Sequence, residues 1–176
     1  RRKELLAGLG VEYEVRTLPD VDESYPETLK GADIPLYISK EKADAYRNMM
    51  QSGDLMITAD TIVWLDGQVL GKPVDREDAL RMLRTMSGRS HEVFTGVCIT
   101  TTEWQRSFTA QTEVRFATLS EDEIAYYVDR FQPMDKAGAY GVQEWIGFIG
   151  VENISGSYYN IMGLPVQKLY RELLKV

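Results

Sequence analysis

The sequence holds one cysteine and one histidine in 176 residues. The lone cysteine, Cys98, excludes an internal disulfide framework and any cysteine-rich zinc site, and suits a reducing compartment such as the cytoplasm. The lone histidine, His91, would have to serve any Ser-His-Asp or Cys-His nucleophile. His91 and Cys98 stand seven apart in a β-like run, which puts them on opposite faces roughly 23 Å apart. His91 therefore reads as structural. No apolar run approaches the roughly 20 residues that cross a bilayer, and no signal peptide is visible, so no membrane partner is expected. Positive charge is also in deficit: 20 Lys and Arg face 27 Asp and Glu, a net charge of −7. Such a surface repels polyphosphate backbones and argues against nucleic acid as a partner. Anionic small molecules remain open to it, provided a few cations gather in one cleft or a metal ion screens the charge. Repeats, low-complexity tracts and linker-like stretches are absent too, so residues 1–176 read as a single domain. The opening Arg1-Arg2-Lys3 has no initiator Met, and further residues are expected upstream.

What is present is globular in composition, 44% hydrophobic and 27% charged. Arg2 to Leu9 predicts a short helix stopped by Gly10, and Val11 to Leu18 alternates like a strand. Pro19 to Asp33 is a polar, acidic loop, and Pro35 opens a helix to about Gln51. Leu55 to Ala59 is a short apolar strand leading into Asp60-Thr61, continued by Ile62 to Leu65. Asp66-Gly67 then marks a hairpin turn into Gln68-Val69-Leu70. Asp75 begins a helix to about Met86, and two long strands follow, Glu92 to Thr102 and Ser107 to Thr118. Ser120 and Glu123 form a capping box for the helix Glu121 to Arg130. After a glycine-rich irregular stretch, Leu164 to Leu174 closes the chain as a helix. Helices and long strands intermix without strict βαβ alternation, which gives an α/β class with a mixed sheet.

Chemistry gathers in a few places. Asp60-Thr61 places a carboxylate and a hydroxyl where a strand is expected to end, and clefts of α/β folds form at strand ends. Asp60 can ligate Mg²⁺ or Mn²⁺ or accept a proton from water; standing alone, it is more readily a turn or cap aspartate. Leu70-Gly71-Lys72-Pro73 holds a lysine between a flexible and a rigid residue, able to face a phosphate, though it is not a Walker A motif. In Asp135-Lys136-Ala137-Gly138-Ala139-Tyr140-Gly141-Val142-Gln143, small residues let backbone approach a ligand, while Lys136 and Gln143 supply donors. The amide of Gln143 can pair with a base edge. Asp22-Glu23 is an ordinary solvated acidic pair unless Asp60 lies near it.

Taken in order, Arg1-Arg2-x-Glu4-Leu5-Leu6, Asp22-Glu23, Lys42-Ala43, Ala59-Asp60-Thr61-Ile62-Val63, Leu70-Gly71-Lys72-Pro73, Met86-Ser87-Gly88-Arg89-x-His91-x-Val93-x-Thr95-Gly96-Val97, Asp135 to Gln143 and Gly156-Ser157-Tyr158-Tyr159-Asn160 resemble the Maf (septum-formation inhibitor) family over essentially the whole chain. The family's N-terminal strand and its Ser-x-Ser-Pro ahead of the paired arginines are not in this sequence. The resemblance implies a curved mixed sheet flanked by helices, related to that of inosine triphosphate pyrophosphatases, with a cleft between two lobes. It also implies a house-cleaning enzyme that cuts nucleoside triphosphates between the α and β phosphates, using Mg²⁺ or Mn²⁺, as a homodimer. Arg1, Thr61 and Gln143 match its dTTP/UTP branch; the 7-methyl-GTP branch tends to carry Trp, Ser and Glu there. On this reading Asp60 is the general base and a metal ligand, with Glu23 assisting at the metal. Arg1, Arg2, Lys42 and Lys72 bind phosphates, and Thr61 and Gln143 contact substrate. A nucleotide-binding regulator of septum formation, acting through a partner without catalysis, is the alternative from another class.

Overall fold

Five strands, β1 (Met56–Leu65), β2 (Gln68–Leu70), β3 (Ser90–Thr100), β4 (Gln105–Phe116) and β5 (Val151–Ser155), form one sheet in the order β2-β1-β3-β4-β5. This is a computed structural model, and it describes residues 1–19 and 21–176. The α/β class stands, with helices packed on the sheet. All four pairings are antiparallel, however, where a mixed sheet was expected. The connections explain this. The β1–β2 hairpin turns on Asp66 and Gly67, both at positive φ, as a two-residue primed turn requires. The link between β3 and β4, residues 101–104, is also short, so these two strands likewise lie side by side running opposite ways.

Helices α1 (Arg2–Ala7), α2 (Asp33–Tyr46), α3 (Arg76–Met86), α4 (Glu121–Phe131), α5 (Trp145–Gly150), α6 (Tyr158–Ile161) and α7 (Val166–Leu173) complete the fold. The capping box foreseen for α4 is in place, and Asp75, where α3 was expected to begin, caps that helix. The Asp75 carboxylate accepts from the Asp78 N–H at 2.8 Å, and Ser120 with Glu123 closes a reciprocal capping box. Helix α2 starts two residues before Pro35, which sits in the first turn where its missing N–H costs nothing. It stops at Tyr46, short of the expected end, and a single 3₁₀ turn carries the chain to Met49.

Alternation along β1 and β3 divides the core. Ile62 and Phe94 pack with Ile34 and Ile38 of α2 on one face. On the other face Ala59, Val97 and Ile99 meet Leu164 and Leu169, with Leu5 and Leu6 against them. Val63, Val93, Val114 and Phe116 face α3, α4 and the Ala139–Ile146 segment in the largest cluster. His91 is buried here, its Nε2 2.6 Å from the Tyr140 hydroxyl and its ring edge-on to Phe116, which bears out its structural reading.

Two expectations fail for identifiable reasons. Val11 to Leu18 has the alternation of a strand but forms neither strand nor helix. Val11, Tyr13 and Val15 are exposed, and the segment is tied down mainly by Leu18 N–H to the Tyr46 hydroxyl and Arg16 to the Met49 carbonyl. A strand exists only with a neighbour to pair with. Conversely, the glycine-rich stretch after α4 holds α5, β5 and α6, elements too short to show a period. Gly147 in α5 marks a backbone contact: a Cβ there would lie 1.8 Å from the Val142 carbonyl oxygen.

Candidate active site

Strand β1 does not end at Asp60 but runs through it. Asp60 pairs across with Gly96, and Thr61 with Thr95. On its other side β1 is joined by β2 only along Val63–Leu65, so Met56 to Ile62 form an open edge among the described residues. That edge, rather than a strand terminus, exposes the polar pair to a cleft of about 600 Å³. The cleft draws on both sheet faces: α2 with the loop before it supplies one wall, and the Asp135–Tyr140 and Ile161–Leu164 segments supply the other.

On the α2 face the controlling residue is Gly96. A Cβ there would come within 2.4 Å of the Leu36 backbone nitrogen, so glycine lets the start of α2 press onto the sheet. Lys42, further along α2, then reaches the open edge. Its Nζ donates to the Ala59 carbonyl at 3.0 Å and pairs with Asp60 Oδ1 at 3.3 Å and Glu23 Oε1 at 3.4 Å. Burial raises the Asp60 carboxyl above its ordinary range, against the opposing pull of Lys42 and Arg2. A carboxyl lifted in this way can take a proton from water nearer neutral pH.

On the other face Arg2 of α1 enters the cleft. Its Nε donates to the Gly163 carbonyl at 2.8 Å and its Nη2 to Thr61 Oγ1 at 3.2 Å. Both partners are neutral, and no carboxylate lies within ion-pairing distance of Arg2 among the described residues. Desolvation lowers its pKa, with Asp60 pulling the other way. Arg1 and Lys72 line the same cleft without a described ion pair. The Lys72 loop is held in place by Gly138 N–H donating to the Gly71 carbonyl at 3.1 Å. Arg1, Arg2, Lys3 and Lys72 thus line the cleft without a carboxylate partner among the described residues, in a protein of net charge −7.

Asp60, Arg1, Arg2, Lys42, Thr61, Lys72 and Glu23 all line this one cleft. Gln143 does not. It lies three residues beyond Tyr140, with its Oε1 buried and without a hydrogen-bond partner. Lys136, singled out in the sequence only as a donor, lines the cleft with Nζ 3.1 Å from Asp135 Oδ1 and 3.9 Å from Glu144 Oε2. Glu144 in turn accepts from the Tyr127 hydroxyl at 2.6 Å, and that hydroxyl accepts from Gly141 N–H. Gly163 contributes its backbone carbonyl to Arg2. Its role lies in a carbonyl held at φ 116°, which no side-chain motif reveals.

For a divalent cation the donor set fits. Asp60 and Glu23 bring two carboxylates to one point, both within 3.4 Å of a single ammonium. Mg²⁺ is commonly held by one or two carboxylates plus substrate phosphates. No group of three or more His, Cys, Asp or Glu able to hold a metal occurs among the described residues, so such an ion would need oxygens from the ligand as well.

Comparison with known proteins accords with this geometry. A family model described as Maf-like protein matches residues 1–176. The chain is 74% identical over 176 residues to a protein of Bacteroides thetaiotaomicron named dTTP/UTP pyrophosphatase, covering all of this chain and 91% of that one. Proteins of the same name from Phocaeicola vulgatus and Porphyromonas gingivalis are 65% and 55% identical. The match covers 100% and 98% of this chain, and 91% and 88% of theirs.

Proposed function

This chain belongs to the Maf-like family, and from that premise we propose that it is a nucleotide pyrophosphatase that hydrolyses dTTP and UTP to the monophosphate and pyrophosphate. The observation that carries the reading is Arg2: among the described residues, a guanidinium tied to the protein only through neutral oxygens, in a cleft where Arg1 and Lys72 also lack carboxylate partners. A triphosphate of about four negative charges is the ligand such a cleft suits. The preference for pyrimidines rests on the names of the relatives.

Asp60 takes the proton of the attacking water. The water oxygen bonds to phosphorus as the bond to the α–β bridging oxygen breaks, and the charge arriving on pyrophosphate is met by Arg2, Lys72 and Arg1. Lys42 keeps Asp60 in place and draws it toward the ionised form. Mg²⁺ or Mn²⁺, held by Asp60 and Glu23, would neutralise phosphate charge when bound. Thr61 orients Arg2. Gln143 is the candidate reader of the N3–H and carbonyl edge shared by uracil and thymine. Its unpartnered Oε1 would have to reach the base through an adjustment of the segment that follows Tyr140. A homodimer and a cytoplasmic location belong to the same reading, the first carried by the family and the second by the free, buried Cys98. No described helix is long and apolar enough to cross a membrane.

The test is pyrophosphate release with Mg²⁺ from UTP, dTTP, CTP, GTP and 7-methyl-GTP. UTP and dTTP should turn over fastest, and Asp60→Asn should lose about 10²–10⁴-fold in kcat with its melting temperature kept. Intact nucleotide binding with no turnover of any substrate would move the protein to the regulator class.

A further inference from the structure

Behind Thr61 a chain of buried hydroxyls and amides runs across the sheet. Thr61 Oγ1 lies 2.8 Å from Oγ1 of Thr95, its cross-strand partner on β3, and 3.4 Å from the Gly163 carbonyl. Thr95 is fully buried and lies 3.4 Å from the Asn160 carbonyl. Asn160, also fully buried, anchors the turn leading to Gly163, with its amide nitrogen donating to the Val93 carbonyl and to Thr112. Gly163 N–H donates back to the Asn160 carbonyl at 3.0 Å.

The proton directions along this chain follow from its first link. Arg2 can only donate, so Thr61 must accept from it. A hydroxyl has one proton, and that of Thr61 is then free for Thr95 at 2.8 Å or the Gly163 carbonyl at 3.4 Å. The shorter bond goes to Thr95, which passes its own proton to the Asn160 carbonyl. The Gly163 carbonyl is thereby left to Arg2 Nε at 2.8 Å. Of five guanidinium N–H groups two are committed, and the remaining three have no protein partner among the described residues. We propose that Thr95, which touches neither the cleft nor substrate, is a positioning residue that aims Arg2 at the phosphates by fixing the direction of the Thr61 hydroxyl. This rests on the phosphate-binding reading of the cleft. Without the Thr95 hydroxyl, the Thr61 proton turns to the Gly163 carbonyl, competes with Arg2 Nε, and loosens both anchors at once.

The experiment measures KM and kcat for UTP, and calorimetric binding of inorganic pyrophosphate with Mg²⁺, for wild type, Thr95→Val, Thr95→Ser and Thr100→Val. Thr100 is equally buried on β3 but has no link to Arg2, so its variant reports the cost of losing a buried hydroxyl alone. Thr95→Val should raise KM and weaken pyrophosphate binding by about three- to tenfold, with kcat changed less. Thr95→Ser should restore both, and Thr100→Val should leave both unchanged. In an Arg2→Met background Thr95→Val should have no further effect on binding. Pyrophosphate binding by Thr95→Val equal to wild type, or a loss that persists in full without Arg2, overturns the proposal while the phosphate cleft stands. Wild-type protein that binds neither UTP nor pyrophosphate overturns both together.

Discussion

Two cations in one cleft are satisfied in opposite ways. Lys42 comes from α2 on one face of the sheet and is bracketed by two carboxylates, Asp60 and Glu23. Arg2 comes from α1 on the other face and, among the described residues, donates only to a carbonyl and a hydroxyl. A partly buried charge without a counter-ion costs free energy, and a protein keeps one where a ligand supplies the missing charge. Lys42, by contrast, is already neutralised, and its work is on the carboxylates beside it. The cleft therefore separates two tasks along the open edge of β1: water activation at Asp60 on the α2 face, and phosphate capture at Arg2 and Thr61 on the other.

If that division holds, removing the two cations has different signatures. Lys42→Met leaves Asp60 and Glu23 facing each other without their shared ammonium. It should cost about 10³-fold in kcat/KM and lower the melting temperature, because breaking a pair strands its partners. The sign for pH follows from Asp60. Burial raises its pKa and Lys42 opposes the rise, so without Lys42 the pKa climbs further. The acidic limb of the pH–rate profile should then move to higher pH, since the base must be ionised to act. An unmoved limb would separate Lys42 from Asp60 and break the comparison. Arg2→Met should act more weakly and elsewhere. KM for UTP rises about 10- to 100-fold, the acidic limb stays closer to its place, and the melting temperature does not fall, because no carboxylate is stranded. A melting temperature lowered as far as in Lys42→Met would show that Arg2 is a structural cation after all.

The two tasks were not equally legible in the sequence. Asp60, Glu23 and Lys72 could be named from the chemistry of their own segments, Lys42 and Arg2 only through the family resemblance, and the structure brings all of them to one cleft. Their arrangement could not be named. The apolar run into Asp60 suggested a strand terminus, whereas the cleft exists because β2 covers only Val63–Leu65 of β1. Which strand lacks a neighbour is a property of the sheet and leaves no mark on a single segment. The same limit explains Val11 to Leu18, whose alternation is real but unpaired. Caps and the Asp66-Gly67 turn were legible because they are local. The Gly163 carbonyl and the Thr95 hydroxyl were not, because each acts through a contact more than 30 residues away.

A third buried base extends the comparison. His91 has neither a carboxylate like Lys42 nor an open cleft like Arg2; its Nε2 meets the Tyr140 hydroxyl and its Nδ1 has no partner. Burial answers this by removing the proton, pushing its pKa down from 6.5 to about 4. Above pH 6.5 the imidazole is neutral in both the folded and unfolded chain and contributes no pH dependence. Between 6.5 and 4 the unfolded chain binds a proton that the folded protein refuses, so stability falls as pH falls. By pH 5 this group alone should have cost about 2 kcal/mol, read as a lower urea midpoint than at pH 7. His91→Gln keeps an amide for Tyr140 but cannot titrate. Whatever its absolute stability, that part of the pH dependence should disappear. If the slope between pH 7 and 5 is the same in the variant, the acid sensitivity belongs to the carboxylates and His91 is not the silent base described here. The contrast with Arg2 is then chemical: imidazole can shed its charge inside the protein and guanidinium cannot. The residue that must stay charged is therefore the one left facing the cleft.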